Sequence, residues 1–396
     1  MKKTLVAIAA LSAISAFAQS SVTAYGIIDS GYVVQHRQNT NAAGEEVHSR
    51  GIAGGNQSSS RIGFKGVEDI GGGTKAEFTA EFGVNPNKSN LSGSTNDAND
   101  TAFDNRQTFV ALSGAAGRVS FGRQYTATHG TIAATDAAGG NNLIGGTTYT
   151  GGNSTTDYKI TPFYGNSAYI VRASEAVAYT TPSFSGLTAT VGASLNKKRT
   201  DTSSSTVYAD AADARSLSLN YANGPLFVAA SVLAAEADIV TTATSASFGG
   251  VGMTGTTAGR LQAKQTQKAL GATYDLGVAK LFGNYLVTGA TGTKGTTNFA
   301  NDVKRTAWEL GARAPIAGKF SGFAKYGKGK TNLTTAADVT AATPDSFNFS
   351  AYQAGVDYNL SKRTNAYVIY GHAKADQTVS TQATATAYAI GLRHQF

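Results

Sequence analysis

The feature that most constrains this 396-residue chain is an alternation of apolar and polar residues that recurs along its length. In residues 187–196, 352–360 and 388–393, every second residue is aliphatic or aromatic, and those between are mostly polar or small. Because successive side chains of a β-strand point to opposite faces, this period of two predicts strands with one apolar and one polar face. A soluble sandwich and a membrane barrel both satisfy the pattern, so alternation alone leaves both architectures open.

The connections between these segments separate the two architectures. Short connections rich in Gly, Asn and Ser lie at residues 71–73, 115–117, 183–186, 223–225, 276–277, 316–318 and 359–361. They alternate with long polar connections around residues 38–57, 87–103, 125–170, 200–212, 238–262, 290–303, 330–346 and 376–383. Strict alternation places all tight turns at one end of the sheet and all large loops at the other. Transmembrane barrels have this form, whereas a Greek-key sandwich does not.

The number of connections predicts the number of strands. Seven short turns and eight long loops make fifteen connections, and hence sixteen strands. An even number of strands allows antiparallel closure, which leaves no unpaired edge in the bilayer. Sixteen strands enclose an aqueous channel, whereas about eight are filled by their own side chains. The sequence therefore predicts an all-β fold, a 16-stranded antiparallel transmembrane β-barrel around a water-filled pore.

The first eighteen residues have the layout of a secretory signal peptide. Lys2 and Lys3 precede a short apolar run, and Ala18 ends a small-residue cleavage site. The apolar run is too short for a stable transmembrane helix. We therefore expect cleavage after Ala18 and one barrel domain over residues 19–396. The chain has no cysteine, so backbone pairing and burial must hold this domain together without disulfides.

Aromatic residues cluster near the ends of the predicted strands. Such residues form girdles at the two lipid–water interfaces of membrane barrels, although ordinary cross-strand packing would also place them there. The candidates are Tyr25, Phe64, Tyr179, Phe227, Trp308, Tyr358, Tyr367, Tyr370, Tyr388 and Phe396.

Five blocks in chain order carry a family resemblance: residues 21–31, 59–73, 105–114, 119–124 and 391–396. Through them the chain resembles the trimeric general porins of Gram-negative outer membranes, in particular the anion-selective subgroup from β-proteobacteria. The resemblance implies an outer-membrane channel for passive diffusion of small hydrophilic solutes and inorganic anions. It also implies a homotrimer in contact with outer-membrane lipid and lipopolysaccharide, without a cofactor or enzymatic activity.

The terminal Phe396 has two compatible interpretations. A last strand with alternating apolar residues and a final aromatic resembles the signal that the barrel-insertion machinery reads. The apolar alternation here includes Tyr388, Ile390 and Leu392, and His394 interrupts it. Phe396 is also explained as a girdle residue.

The resemblance further implies that the third long loop, residues 125–170, folds inward and narrows the lumen. It maps Arg61, Arg106 and Arg172 onto a basic wall opposite this loop. The alternation of side chains between the two faces of a strand also predicts that Arg61 and Arg172 point into the lumen. The orientation of Arg106 is ambiguous, because both faces of its strand are apolar. Solvated charges at strand ends remain the alternative for all of these residues. Weaker candidates for the lumen are Lys65, Arg123 and Lys325.

The third loop is poor in acidic residues. Between Tyr125 and Ile170 its acids are Asp136 and Asp157, and residues 131–140 replace a Pro-Glu-Phe-Gly segment that many porins carry. Unbalanced basic charge in a channel with low-dielectric walls attracts anions, so the sequence predicts anion preference. Asp136 has two predicted roles that the sequence does not separate: it tunes the permeating ions, or it bonds the loop to the barrel wall.

Three other functions remain open. A channel specific for one anionic solute has the same fold. A barrel enzyme needs a nucleophile and an oriented base, but no such motif surrounds His36, His48, His129, His372 or His394. A soluble secreted adhesin does not explain the asymmetry of the connections.

No partner or cofactor is predicted beyond those of a porin. The basic residues are scattered rather than clustered, which argues against nucleic acid as a partner. No metal site is predicted, because the acidic stretch at residues 96–100 lacks the spacing of an EF-hand and leaves only weak calcium binding open.

Overall fold

The computed structural model describes residues 21–39, 46–87, 104–149, 169–195, 213–241, 245–248, 251–254, 259–294, 297–335, 346–376 and 382–396. The predicted signal peptide, residues 1–18, lies outside the described residues. Within the described ranges, no helix has both the length and the apolar character needed to cross a membrane.

The described residues form nineteen β-strands and one helix, α1, at Ala127–Ala134. The strands are β1 Ser21–Asn39, β2 Glu46–Gly54, β3 Arg61–Gly71, β4 Thr74–Gly83, β5 Asp104–Gly114, β6 Gly117–Tyr125, β7 Arg172–Thr180, β8 Leu187–Leu195, β9 Asp213–Asn223, β10 Leu226–Thr241, β11 Ser245–Phe248, β12 Val251–Thr254, β13 Gly259–Asp275, β14 Lys280–Lys294, β15 Thr297–Ala317, β16 Phe320–Thr335, β17 Ser346–Asn359, β18 Thr364–Asp376 and β19 Gln382–Gln395.

The sheet closes on itself because β1 pairs with β19, from Ile27 opposite Gln395 to Asn39 opposite Ala383. All pairings are antiparallel, and β11 and β12 form a separate hairpin in the fifth long connection. Residues 30–38 of β1 pair with β2, and residues 21–27 of β1 pair with β3. The strands β2 and β3 therefore together occupy the second position in the barrel. The predicted 16-stranded antiparallel barrel is therefore confirmed.

Residues 55–60 interrupt the second strand and turn toward the interior. Gly55 has a positive φ of 74°, which suits glycine. The Asp29 carboxylate of β1 accepts the N–H groups of Gln57, at 2.7 Å, and of Ser58, at 2.6 Å. The Asp29 carbonyl accepts the N–H of Gly55 at 2.9 Å. Asp29 thus satisfies the backbone groups that leave the ladder at this interruption.

The predicted turns are confirmed, but several predicted loops were too long. β10 and β13 extend into residues 238–262, and β14 and β15 occupy nearly all of residues 290–303. Likewise, β2 lies within residues 38–57. These segments lack apolar alternation because they extend past the apolar band, but backbone pairing does not depend on side-chain hydrophobicity.

The outward face of the barrel is apolar and the inward face is polar or small. On β8 the outward Val191 is 50% exposed, and on β15 the outward Leu310 is 61% exposed while its inward neighbour Glu309 is buried. Further outward apolar residues are Val110, Leu112, Phe121, Leu219, Val232, Leu270, Val356, Val368, Ile390 and Leu392. This reversal of the soluble pattern is expected where lipid is the solvent.

Outward aromatic rings meet across neighbouring strands. The ring of Tyr370 lies 5.7 Å from that of Tyr352 and 4.9 Å from that of Tyr388. Three of the girdle candidates were wrong, however, because they face inward. Phe227 lies opposite the buried Thr273, on the same face of β10 as the buried Ala229. The hydroxyl of Tyr25 donates to Glu81 at 3.2 Å, and the buried Tyr367 donates to Asp29 at 2.5 Å.

Phe396 completes the seam between the last strand and the first. Its N–H donates to the carbonyl of Gly26 at 3.2 Å, and the N–H of Gly26 donates to the Phe396 carbonyl at 3.1 Å. A Cβ atom at Gly26 would lie 2.3 Å from Phe396 Cζ and 2.7 Å from the Arg61 carbonyl oxygen. Only glycine at position 26 lets the terminal ring lie across β1.

We predict that Gly26→Ala destabilises the closed barrel by about 1–3 kcal/mol, because the added methyl group overpacks the seam. The measurement is the temperature at which the compact barrel band is lost in an electrophoretic heat-modifiability assay. Gly51→Ala in β2 is the matched control, since nothing lies within 4 Å of its added Cβ. Equal transition temperatures for the two variants would contradict the packing argument.

Candidate functional site

The inward Glu81 of β4 lies at the centre of a cluster of basic side chains. Its Oε1 accepts from Arg106 Nε at 2.8 Å and lies 3.9 Å from Arg61 Nη1. Its Oε2 accepts from the Tyr25 hydroxyl at 3.2 Å. The Glu81 side chain is only 5% exposed and that of Arg106 only 9%, so their pairing takes place largely away from solvent.

Arg106 reaches the interior through a β-bulge. Glu81 pairs with Gln107 and Phe82 with Asn105, so β5 has one extra residue at this point, which is Arg106. Without the bulge, Arg106 would share the outward face of Val110, which is 58% exposed. The bulge therefore decides the orientation that the sequence left ambiguous.

Arg172 joins the cluster through Tyr125. Its guanidinium lies 5.3 Å from the Tyr125 ring, and the Tyr125 hydroxyl accepts from Arg106 Nη2 at 2.8 Å. The strand parity used to orient Arg172 does not hold, because β7 has an extra residue between Ala173 and Ala176. The position of Arg172 follows from its contact with Tyr125, not from an unbroken alternation.

His129 of α1 covers the cluster from the loop side. The side chain of Thr126 caps the helix by accepting the His129 N–H at 3.2 Å. The imidazole lies 4.4 Å from the Tyr125 ring, and its Nδ1 lies 3.3 Å from the Tyr169 hydroxyl. Burial, together with the charges of Arg172 and the other two arginines, lowers the pKa of His129 to about 3. His129 is therefore neutral at physiological pH and adds no positive charge.

Two of the weaker candidates border this cluster. Lys65 Nζ lies 5.5 Å from the Tyr25 ring. Arg123 donates from Nη1 to Ser174 Oγ and from Nε to the Asn105 carbonyl, both at 2.7 Å. These residues therefore extend the basic surface along neighbouring strands.

The three arginines of the cluster, Arg61, Arg106 and Arg172, are incompletely neutralised. Among the described residues, Glu81 is the carboxylate within 4 Å of these guanidinium groups and Asp104 acts on Arg106 from farther away, so positive charge exceeds negative charge in the cluster. Within the part of the chain that the structure describes, Arg172 has no carboxylate at ion-pair distance. The cluster therefore presents net positive charge at Arg172.

Asp136 makes a buried ion pair with the opposite wall. Its Oδ1 lies 2.9 Å from Lys325 Nζ, which also lies 3.3 Å from Glu309 Oε2. Glu309 in turn accepts the N–H groups of Thr147 and Thr148, the latter at 2.9 Å. All three charged side chains are less than 5% exposed. These contacts favour the second predicted role of Asp136, bonding the loop to the wall.

The loop between α1 and Tyr149 continues along the inward face. Asn141 and Gln353 exchange two hydrogen bonds, of 2.5 and 3.0 Å. The Asn142 N–H donates to the Asn56 carbonyl at 3.0 Å, which joins the loop to the interruption in the second strand. The anchoring strands β15 to β17 occupy the twelfth to fourteenth positions of the barrel, across from the arginines at positions two to six.

Sequence reasoning missed Glu81, Tyr125, His129 and Glu309 as parts of the site. Glu81 had a signal, since it shares parity with Glu77 and Thr79 opposite Phe78. Glu309 had the same kind of signal, since it lies between the apolar Trp308 and Leu310. Tyr125 and His129 had none, because their roles depend on contacts between segments remote in the chain.

We predict that Lys325→Met releases the loop from the wall. Removing one partner of a buried ion pair typically costs about 3–5 kcal/mol, because the remaining carboxylates stay buried without compensation. The variant should show noisier single-channel current and a lower heat-modifiability temperature. Lys328→Met is the matched control, since Lys328 lies on the exposed outward face of the same strand. If both variants behave like the parent chain, the ion pair does not hold the loop.

We predict that acid weakens docking of the loop through His129. The folded pKa of about 3 lies below the ordinary value of 6.5, so protons bind preferentially to the undocked loop. Docking is unaffected above pH 6.5 and loses up to about 1.4 kcal/mol per pH unit as the pH falls toward 3. His129→Phe, which keeps an aromatic ring and does not titrate, should show less acid-induced current noise than the parent chain. Identical pH profiles would contradict this linkage.

The known proteins that are similar to this chain are porins. Residues 4–378 match the family described as Gram-negative porin. The chain is 31% identical to an outer membrane porin protein of Bordetella pertussis and 31% identical to outer membrane porin protein 32 of Delftia acidovorans, each over the whole of both chains. The solved structure of an anion-selective porin from Comamonas acidovorans is similar, with a TM-score of 0.66 and 25% identity, over 96% of this chain and 100% of that chain.

The family match, the full-length relatives and the closed barrel agree. The chain belongs to the Gram-negative porin family, and it is an outer-membrane protein that crosses the membrane many times through its barrel.

Proposed function

We propose that this porin prefers anions among the small hydrophilic solutes that diffuse passively through it, and that Arg61, Arg106 and Arg172 set the preference. One observation carries the proposal: positive charge is left over on one wall, and no described carboxylate on the loop opposes it. Asp136, the acid in the described part of the loop, is buried against Lys325.

The loop at residues 127–149 makes this charge effective. The Debye length is about 8 Å at physiological ionic strength, so fixed charges act on ions only where the lumen is narrow. A segment anchored along the inner wall narrows the lumen at the level of the arginines. Water confined between low-dielectric walls then strengthens the attraction of the cluster for anions.

The three arginines contribute unequally in this proposal. Arg106 shares a buried hydrogen bond with Glu81, so much of its field is cancelled. Arg172 contacts an aromatic ring and no described carboxylate, so its field is largest in the pore. Lys65 and Arg123 extend the attraction along the wall. The anion selectivity stated for the similar Comamonas acidovorans porin supports the same sign of charge preference.

The family match indicates a channel rather than an enzyme. We further propose that the chain works as a homotrimer whose outward apolar face contacts outer-membrane lipid and lipopolysaccharide. The alternative function is a channel of the same fold with a binding site for one anionic solute. Block of single-channel current by that solute, absent with inorganic ions, distinguishes it from a general porin.

We predict that Arg172→Gln shifts the zero-current potential in a KCl gradient toward cations. At a reference distance of about 7 Å in water, one unit charge contributes about 0.6 kcal/mol, which is close to RT. The anion-to-cation permeability ratio should therefore fall by about two- to three-fold. Lys328→Gln removes the same charge from the outward face and should leave the potential unchanged.

Two results would overturn the proposal. Cation preference of the parent chain would refute the assigned sign. Equal shifts from Arg172→Gln and Lys328→Gln would show that overall charge, rather than the cluster, sets selectivity.

A further inference from the structure

Two histidines face each other at the external end of the first two strands. In the antiparallel register of β1 and β2, His36 lies directly opposite His48, and Gln38 lies opposite Glu46. Directly opposite residues of such a pair have their Cβ atoms about 4.5–5.5 Å apart and share one face. Glu46 precedes His48 by two residues, so its side chain lies on the same face. The register thus brings two imidazoles and one carboxylate together.

The three side chains already converge on one point. His36 Nε2 lies 2.5 Å and His48 Nε2 lies 3.3 Å from the same oxygen, Glu46 Oε1. All three atoms lie within 4.8 Å of one another, and the imidazole rings stack with centroids 4.3 Å apart. The outward parity of His36 turns the group away from the lumen. The side chains are 39%, 47% and 69% exposed for His36, Glu46 and His48, so an ion reaches them from outside.

We propose that His36, Glu46 and His48 form a binding site for a divalent transition-metal ion, with Zn²⁺ the best match. Zinc takes imidazole nitrogen at about 2.0–2.1 Å and carboxylate oxygen at about 2.0–2.2 Å. Ligand atoms at these distances around a tetrahedral ion are about 3.3 Å apart. Small rotations of exposed side chains bring the observed positions to this spacing.

The ligand set also decides which ions fit. Two imidazoles suit zinc, copper or nickel, whereas calcium and magnesium prefer all-oxygen sites. Each imidazole binds as a neutral ring through the Nε2 lone pair and keeps its proton on Nδ1. Three protein ligands leave the fourth position for water. A bound ion would fasten β1 to β2 beside the first external connection, independently of ion flow through the lumen.

The sequence gives little sign of this site because the two histidines are twelve residues apart and belong to no metal motif. Only the strand register makes them neighbours.

The test uses full-length barrel without a polyhistidine tag, refolded in detergent so that no lipopolysaccharide phosphate competes for metal. Isothermal titration with Zn²⁺ should give one site per chain. His48→Gln and Glu46→Gln should each weaken binding by at least about ten-fold. His372→Gln is the matched control, because His372 also lies on the outward face, on β18, but outside this group.

Co²⁺ provides a second readout, since its visible absorption reports nitrogen and oxygen ligands directly. The parent chain and His372→Gln should give the same spectrum, and His48→Gln should lose it. The heat-modifiable band verifies that each variant is folded. Absence of Zn²⁺ binding by the parent chain, or equal binding by folded His48→Gln, would overturn the proposal and leave a hydrogen-bonded cluster at the rim.

Discussion

The structure depends on one constraint: no backbone hydrogen-bonding group can remain unpaired within the hydrocarbon core of a membrane. Closure of β1 on β19 meets this constraint, and Phe396 and Gly26 carry the pairing to the last residue. Where the second strand leaves the ladder, Asp29 accepts the freed N–H groups. Strands also continue past the apolar band, because backbone pairing does not depend on hydrophobic side chains.

The strand number and the fold followed from sequence because connection length does not depend on packing details. Orientation was harder to predict, because alternation holds only along an uninterrupted strand. Arg106 points inward because of a bulge, and Arg172 was assigned by a parity that another bulge breaks. Tyr367 was misplaced because an aromatic near a strand end is equally compatible with lipid and with a buried hydrogen bond. The bonds to Lys325, Gln353 and Asn56 join segments too distant in sequence for local patterns to reveal.

Two clusters of charged side chains lie on opposite walls of the barrel, and they differ in charge balance and in role. Asp136 and Glu309 are both buried against Lys325, so this group holds the loop to the wall and carries no excess positive charge. Arg61 and Arg106 lie against Glu81, whereas Arg172 lies against the Tyr125 ring, so this group keeps an excess of positive charge. His129, held neutral by burial, packs the loop against the arginines without adding to that charge.

The anchoring of the third loop has a consequence for the order of assembly. Its hydrogen-bond partners include residues at the second, ninth and eleventh to fourteenth positions of the barrel, and Asn141 and Gln353 are 212 residues apart. Contacts of such high sequence separation form late, because the intervening chain must be ordered first. The loop therefore completes its docking only after the fourteenth position of the barrel is in place. A partly inserted chain lacks the fully docked loop, so the lumen takes its final shape late in the assembly of the barrel.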